Sequence, residues 1–156
     1  MKFIRQNIGP YKLSLYFSRT TKVTGINSDL TDGNHAIMWE FDGTDEAPVI
    51  AALRSTQARF HLPQIIVLRS HPIGGFHAYC FKRTPWIKTV HIVSGTHGVD
   101  PGYISMCAMR QHWTLRTSDK GQGIPKFHLM LDSKIPTDCS YRDLKNAVRY
   151  ETWKKT

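Results

Sequence analysis

The stretch His35–Asp42, which reads HAIMWEFD, decides the fold expected for this chain. The stretch alternates as a strand does, so one face carries Ala36, Met38, Glu40 and Asp42 and the other carries Ile37, Trp39 and Phe41. Glu40 and Asp42 are two residues apart, so they point to the same side of the predicted strand. Gly43 follows them and favours a turn.

The two acids indicate a metal site. Carboxylates at this spacing repel each other, and a cation between them relieves that repulsion. A hard divalent cation binds one or two protein carboxylates together with the phosphate oxygens of a substrate. The competing interpretation is a solvated strand face that ends in an Asp-Gly turn.

A second predicted strand, at 64–69, leads into a glycine-rich turn at 70–75. Pro72 fixes one φ angle, and the two glycines that follow permit positive φ and close approach of the backbone. The N–H groups of such a turn can surround an anion, and side chains on its flanks can add donors. The predicted phosphate ligands are Ser70, Gly74, Gly75 and His77.

The acids and the turn together resemble the archaeo-eukaryotic primase superfamily, the primase-polymerase group of plasmid and phage replication proteins. In that family a strand with two acids precedes a Ser and a His around a glycine-rich turn, and a hydrophobic residue followed by an acid comes later. The resemblance spans roughly residues 35 to 120. The matching positions, in chain order, are Glu40 and Asp42, then Ser70 and His77, then Val99 with Asp100.

This chain departs from the family pattern at two places. Glu40 stands where the family more often has Asp, and the turn between Ser70 and His77 is longer than the compact form of the family. Because Glu is also a carboxylate, the first departure leaves the metal chemistry available.

The resemblance implies a metal-dependent nucleotidyltransferase of the DNA primase or polymerase type, from a plasmid, phage or virus replication system. It implies Mg²⁺ or Mn²⁺ as cofactor and nucleoside triphosphates as substrates. The implied partners are single-stranded or primed DNA, or RNA, and a helicase or other replication proteins. The implied catalytic residues and metal ligands are Glu40, Asp42 and Asp100. The implied nucleotide-binding residues are Ser70, Gly74, Gly75, His77, Arg116 and Lys120.

Three of these residues also have simpler interpretations. Asp100-Pro101-Gly102 is typical of a helix start, with Asp as the N-cap and Pro at the first helical position. Arg116 offers a planar fork and Lys120 a compact charge to a phosphate, although an arginine at a strand end is commonly just solvated. The alternative third acids are Asp119 and Asp132.

Charge favours an anionic partner. The chain has 156 residues, 21 Lys and Arg against 12 Asp and Glu, and a formal net charge of +9. Between residues 47 and 99 no acid occurs, whereas six basic residues and five histidines do. The alternative interpretation is a basic solubilising face with ordinary core aromatics. The aromatic residues of this segment that we expect to stack on bases are Phe76, Tyr79, Phe81 and Trp86.

The predicted fold is an α+β domain with an RRM-like mixed or antiparallel sheet, flanking helices and a primase-like core. We expect one compact domain over 1–156, either a whole protein or the catalytic piece of a longer replication protein. The predicted strands are 11–17, 35–42, 64–69, 76–81, 112–117 and 126–131. The predicted helices are 44–61, 84–93, 100–111 and 140–153.

The three cysteines, Cys80, Cys107 and Cys139, lack a paired spacing, so we predict neither a disulfide framework nor a zinc site. No apolar run approaches ~20 residues and the start of the chain lacks the apolar region of a signal peptide. We therefore expect a cytoplasmic, non-secreted protein with no membrane partner.

Two other function classes fit parts of the sequence. One is a non-catalytic, RRM-like replication protein that binds single strands by stacking bases on sheet aromatics. The other is a rolling-circle nickase, which needs two histidines flanking one apolar residue and a tyrosine nucleophile on a helix. The segments around His77 and His128 each offer only one histidine, although Tyr141 and Tyr150 lie on the predicted last helix.

Overall fold

The computed structural model describes residues 2–17, 20–119, 121, 123–145 and 147–153. In this part of the chain the helices are α1 (Glu46–Phe60), α2 (Trp86–Ser94) and α3 (Pro101–Arg110), with a 3-10 turn at Tyr141–Asp143. The strands are β1 (Lys2–Ile8), β2 (Tyr11–Phe17), β3 (Thr20–Asn27), β4 (His35–Asp42), β5 (Ile65–His71), β6 (Gly75–Thr84), β7 (Thr114–Arg116), β8 (Lys126–Leu131) and β9 (Ala147–Trp153).

Three antiparallel sheets organise these strands. A four-stranded sheet has the order β4-β6-β5-β8, a three-stranded sheet has the order β7-β3-β9, and β1 pairs with β2. Since β4 and β5 both run antiparallel to β6, they are parallel to each other, with β6 inserted between them. The connection from β4 through α1 to β5 is thus a split βαβ unit, and the α+β class is confirmed.

The core lies on both faces of the four-stranded sheet. Ile37, Trp39 and Phe41 are fully buried on one face, and the indole N–H of Trp39 donates to the Thr96 hydroxyl after α2 at 3.0 Å. A buried tryptophan needs such a polar partner. On the other face Met38 is also fully buried, which explains why the strand reads as apolar on both sides.

β4 is an edge strand, and α3 covers its outer edge. The Tyr103 hydroxyl donates to the Met38 carbonyl at 3.2 Å, and the Asp100 N–H donates to the Glu40 carbonyl at 3.0 Å. These two bonds satisfy carbonyls that would otherwise offer a pairing edge to another chain. Burial raises the pKa of Tyr103 well above its usual range, so the hydroxyl stays a neutral donor.

Most predicted elements are confirmed, with differences at their ends. The predicted strand 64–69 extends to His71, and the predicted strand 76–81 extends over Gly75–Thr84, so the glycine-rich turn shrinks to 72–74. Strands β1 and β3 were not predicted. The predicted strand 112–117 is only Thr114–Arg116.

The predicted helix 140–153 is wrong. Ser140 caps a single 3-10 turn, with Asp143 accepting from the Ser140 N–H in return, and the chain then enters β9. β9 pairs with β3 from Ala147 opposite Ile26 to Trp153 opposite Thr20. Pairing with a distant strand therefore overrides a helical pattern whose apolar spacing was only local.

The three cysteines, Cys80, Cys107 and Cys139, are free and buried, and burial raises their pKa to about 12, 11 and 12. They are therefore protonated thiols near neutral pH.

None of the helices that the structure describes has the length and apolar character needed to cross a membrane.

Candidate functional site

The two acids and the glycine-rich turn meet at one end of the four-stranded sheet. The antiparallel register of β4 and β6 places Asp42 opposite Gly75 and Glu40 opposite His77. Cross-strand partners share a face, so the acids and His77 lie on the same side of the sheet, as the alternation predicted. The Nε2 atom of His77 is 3.5 Å from Oε1 of Glu40.

A hollow of about 260 Å³ opens at this end of the sheet. It combines the end of β4, the turn after β5 and the last residue of β7, three segments that are far apart in sequence. Glu40 and His77 lie two residues along their strands from Asp42 and Gly75, which is about 7 Å further from the hollow. The residues that line the hollow are Asp42, Gly43, Ser70, His71, Ile73, Gly74 and Arg116.

The two turn glycines have different physical roles. Gly74 has φ +61°, and the N–H of Thr44 donates to its carbonyl at 3.0 Å, which binds this turn to the turn after β4. Gly75 does not have a positive φ, contrary to what the pair suggested. A Cβ at Gly75 would lie 2.6 Å from the Cβ of His71, so close packing requires glycine there.

His71 organises the turn from within. The N–H of Ile73 donates to Nδ1 of His71 at 3.0 Å, and the same ring nitrogen is 2.8 Å from the Ile73 carbonyl. One N–H of the predicted anion-binding turn is thus used inside the turn. The Ile73 N–H is therefore occupied, and an anion in this turn would have to bind other groups that line the hollow.

His77 is deeply buried, with 1% exposure. Its Nδ1 atom is buried and has no hydrogen-bond partner within the described residues. Buried polar atoms are normally paired, so each exception calls for a reason such as an absent ligand or a catalytic role. Glu40 beside it remains partly exposed, with 29% of its side chain accessible.

Arg116 is held by backbone carbonyls. Its Nη2 donates to the Ser70 carbonyl at 2.8 Å, and its Nη1 donates to the carbonyls of Ser118 and Gly123 at 2.6 and 2.9 Å. A guanidinium carries five N–H donors, so three bonds leave donors for a further acceptor. Arg116 therefore lines the hollow and also joins the loop after β7 to the end of β5.

The predicted third acid is the N-cap of α3. Asp100 accepts from the N–H groups of Gly102 at 2.9 Å and Tyr103 at 3.2 Å, which is the simpler interpretation of the Asp-Pro-Gly pattern. Its backbone N–H donates to the Glu40 carbonyl at 3.0 Å, so the start of α3 lies beside the strand that carries the acid pair. A carboxylate has lone pairs beyond those used by a cap.

The other candidates separate by position. Asp119 lies in the loop held by Arg116 and accepts from the N–H groups of Gly121 and Gly123 at 2.6 and 2.8 Å. Asp132 follows Leu131, which pairs with Ile65 at the opposite end of β5 from Ser70, so it does not join this site. Lys120 lies outside the described residues.

A metal ion bound together with a phosphate fits the residues present. Glu40 and Asp42 supply two carboxylates on one face, and Mg²⁺ needs only one or two of these when phosphate oxygens and water complete its shell. Nδ1 of His77, buried and unpaired among the described residues, adds a polar atom that a ligand can satisfy. Within the described ranges, no three His, Cys, Asp or Glu side chains form a cluster that could hold a metal by themselves.

The basic segment is partly neutralised within the protein. Arg69 forms an ion pair with Glu46 at 2.8 Å, and the same carboxyl is 2.9 Å from Nε2 of His128. His128 is the main cause of the lowered pKa of Glu46, and Arg69 contributes. Arg83 pairs with Asp32 and Asp143. The charge of the segment is therefore not all directed towards a partner.

The aromatic residues expected to stack on bases are in the wrong place for that role. Phe76 and Tyr79 are 1% and 6% exposed, and Phe81 and Trp86 are half-buried. β6 is a central strand, so its side chains are packed on both faces. Sequence reasoning missed Phe127, which is 67% exposed on the edge strand β8.

Comparisons with protein-family models, with curated proteins and with solved structures find no match for this chain.

Proposed function

We propose that this protein is a metal-dependent nucleotidyltransferase of the primase or polymerase type, with an RRM-like, primase-like core. The observation that carries the proposal is the convergence of Glu40 and Asp42 with His77 and the glycine-rich turn. The acids were predicted to bind metal and the turn to bind phosphate, and the register of β4 and β6 supports both roles at one position.

Each residue has a task that follows from its position. Glu40 and Asp42 would hold Mg²⁺ or Mn²⁺ at the junction of the protein and the triphosphate. Bound there, the ion would lower the pKa of an attacking 3′-hydroxyl and stabilise the charge of the attacking and leaving oxygens. His77, Ser70 and the turn backbone orient the phosphates, and Arg116 faces them from the other wall of the hollow.

This division of labour needs no protein nucleophile. Phosphoryl and nucleotidyl transfer depend on positioning and on neutralising charge, which the acids, the turn and Arg116 supply in this interpretation. Asp100 remains a proposed third acid because its backbone N–H donates to the Glu40 carbonyl. Its carboxylate would have to bind the metal in addition to capping α3.

The test is incorporation of labelled nucleotides on primed and unprimed single strands, with Mg²⁺ or Mn²⁺. We expect Glu40→Gln with Asp42→Asn to abolish incorporation while the affinity for single strands stays equal or rises, since two negative charges near the phosphates are removed. The matched control is Asp32→Asn with Asp132→Asn, which removes the same charge from exposed positions at the opposite end of the sheet. Wild-type incorporation by the Glu40 and Asp42 variant would contradict the proposal.

The non-catalytic single-strand-binding alternative makes a different prediction. It requires binding that survives EDTA and no incorporation under any metal condition, and it finds support in the exposed Phe127 on the sheet. The nickase alternative is less well supported. His77 and His128 face opposite sides of the sheet, Tyr141 lies in a 3-10 turn and Tyr150 lies in β9.

A further inference from the structure

Two rows of side chains cross the four-stranded sheet from the acid pair to the free edge of β8. The first row runs from Glu40 through His77 and Leu68 to Phe127, each residue paired with the next in the register. The second row is parallel to it and consists of Met38, Tyr79, Ile66 and Met130. The proposed chemistry and the edge strand therefore share one continuous face.

A shift in register puts Phe127 on this face. The pairing of β5 with β8 slips between Val67 and Leu68, so that His128 has no partner of its own. His128 contacts Glu46 of α1 on the opposite face, and Phe127 then returns to the side of Leu68. Without the shift, Phe127 would point towards α1.

The outer half of this face is apolar and open. Phe127 and Met130 are 67% and 42% exposed, and Leu68 and Ile66 are half-buried beside them. An exposed ring on a flat sheet offers a π-face on which a base can stack, whatever its identity. Because the ring of Phe127 has no polar atom, its exposure to water is unfavourable.

Positive charge lies at the end of the same edge strand. Lys126 precedes Phe127 and is exposed, and Arg69 follows Leu68 in the neighbouring strand, so both side chains start from the face opposite Phe127. Both line a second hollow of about 260 Å³ with His71 and the loop residue Ile124, and Arg69 is already paired with Glu46 of α1. Lys126, one residue from the exposed ring at the edge of the sheet, is the cation within reach of a phosphate of a strand whose base stacks on Phe127.

We infer that the open half of the sheet, with Phe127 as its stacking residue, binds a single-stranded nucleic acid and carries it towards the acid pair. This inference rests on the proposed function for the role of the strand as template, but the binding itself does not require it. The occupant is a single strand because a duplex keeps its bases stacked on each other and offers no face to a ring.

Fluorescence anisotropy with a labelled oligothymidylate of about 20 nucleotides measures the binding directly. We expect Phe127→Ala to weaken binding about tenfold, Phe127→Leu to weaken it nearly as much, and Phe127→Trp to preserve it, because only a ring stacks. Tyr141→Ala is the matched control, since Tyr141 is equally exposed and lies in the 3-10 turn whose Asp143 pairs with Arg83 at the other end of the sheet. Unchanged affinity of Phe127→Ala would overturn the inference, as would equal losses for the two alanine variants.

Photocrosslinking gives a second readout that does not depend on affinity. A strand that contains 5-iodouracil should crosslink to Phe127 or its neighbours on β8 on irradiation, and peptide mapping identifies the residue. Crosslinks confined to other surfaces would overturn the inference. A thermal midpoint within a few degrees of wild type establishes that the variants are folded.

The failure of this inference and that of the proposed function are distinguishable. If the Glu40 and Asp42 variant still incorporates nucleotides, the catalytic proposal fails while the Phe127 effect on binding can stand. If Phe127→Ala binds normally and the acid variant is inactive, the catalytic proposal stands and the strand follows another route. Salt titration adds a check, since log affinity should fall with log salt by about 0.7 per neutralised phosphate, and Lys126→Ala should reduce that slope.

Discussion

The two ends of the β4 and β6 pair use charge in opposite ways. At the far end, near His35 and Thr84, Arg83 contacts the carboxyls of Asp32 and Asp143 and the carbonyl of Asp138 at 2.9 Å. At the site end, near Asp42 and Gly75, the buried Arg116 donates to three backbone carbonyls instead. One end pairs opposite charges to fix a chain segment, and the other fixes its arginine without using a carboxylate.

The difference teaches how to separate a structural cluster from a candidate site. Both ends contain acids, an arginine and a glycine-containing turn, so composition does not distinguish them. At the far end Arg83 contacts three acids from two separate segments, Asp32 before β4 and Asp138 and Asp143 between β8 and β9. At the site end the carboxylate of Glu40 lies 3.5 Å from Nε2 of His77, beside an open hollow. A carboxylate beside an open hollow is accessible to a ligand, whereas the carboxylates at the far end are already paired with Arg83.

The largest effect is expected at Gly75. A valine there would place Cβ 2.6 Å from the Cβ of His71, so the turn must move and nucleotide use should fall by more than about 10²-fold. The control is Gly33→Ala in the turn before β4 at the far end, where φ is +84° but nothing lies within 4 Å of the added Cβ. That control should lose stability by about 1 kcal/mol and keep its activity. Incorporation kinetics and thermal midpoints measure both, and an active Gly75→Val protein would contradict the turn assignment.

The next effect is expected at His77. We expect His77→Gln to reduce nucleotide use about 10²-fold, because a charge-assisted contact at a phosphate is worth a few kcal/mol. His77→Asn places its amide near the position of Nδ1, the unpartnered atom, and should retain more activity. Single-strand affinity should barely change for either. Normal incorporation by a folded His77→Gln protein would make His77 an ordinary core histidine.

A smaller effect, on stability alone, is expected at the far end. Arg83→Ala removes two ion pairs and a bond to the Asp138 carbonyl, with the partners partly exposed, so the loss of stability should be small. We expect the thermal midpoint to fall by a few degrees. Incorporation measured well below the midpoint should equal that of wild type. Loss of activity in the folded variant would show that the two ends are coupled.

The smallest effect is a pH dependence of stability from His35, also at the far end. Burial lowers the pKa of His35, and the nearby Asp29 carboxyl partly offsets this, while His112 and Lys145 act with burial. The unfolded chain then binds a proton that the folded protein resists, so this contribution is complete above the ordinary value of 6.5 and is lost as pH falls below it. Thermal midpoints between pH 7.5 and 5 should fall by a few degrees more in wild type than in His35→Asn. An equal fall in both would assign the pH dependence to other groups.

The sequence was sufficient for the centre of the fold because its signals there are local. HAIMWEFD carries apolar residues on both sides of one strand because both faces are buried, and the predicted turn at 70–75 contains the turn that the structure has at 72–74. Asp100 also carried a local signal, since its cap on α3 follows from Asp-Pro-Gly. Such features depend on a few neighbouring residues.

The failures concern pairings between distant segments. β9 was expected to be helical because its pairing with β3 cannot be read from its own residues. The exposure of Phe127 on this face depends on β8 being an edge strand and on one register shift. Arg116 was chosen for its charge, but its three bonds to carbonyls come from segments that meet only in the folded protein.

The insertion of β6 between β4 and β5 sets the order in which the site can be completed during synthesis. The chain emerges with Glu40 and Asp42 first, and then with β5, which cannot pair with β4 because their common neighbour is still missing. Only when residues 75–84 have left the ribosome can His77 be placed beside Glu40, and only after residue 116 can the arginine close the wall. A nascent chain stalled between β5 and β6 therefore carries the carboxylates without the sheet that gives them a common direction.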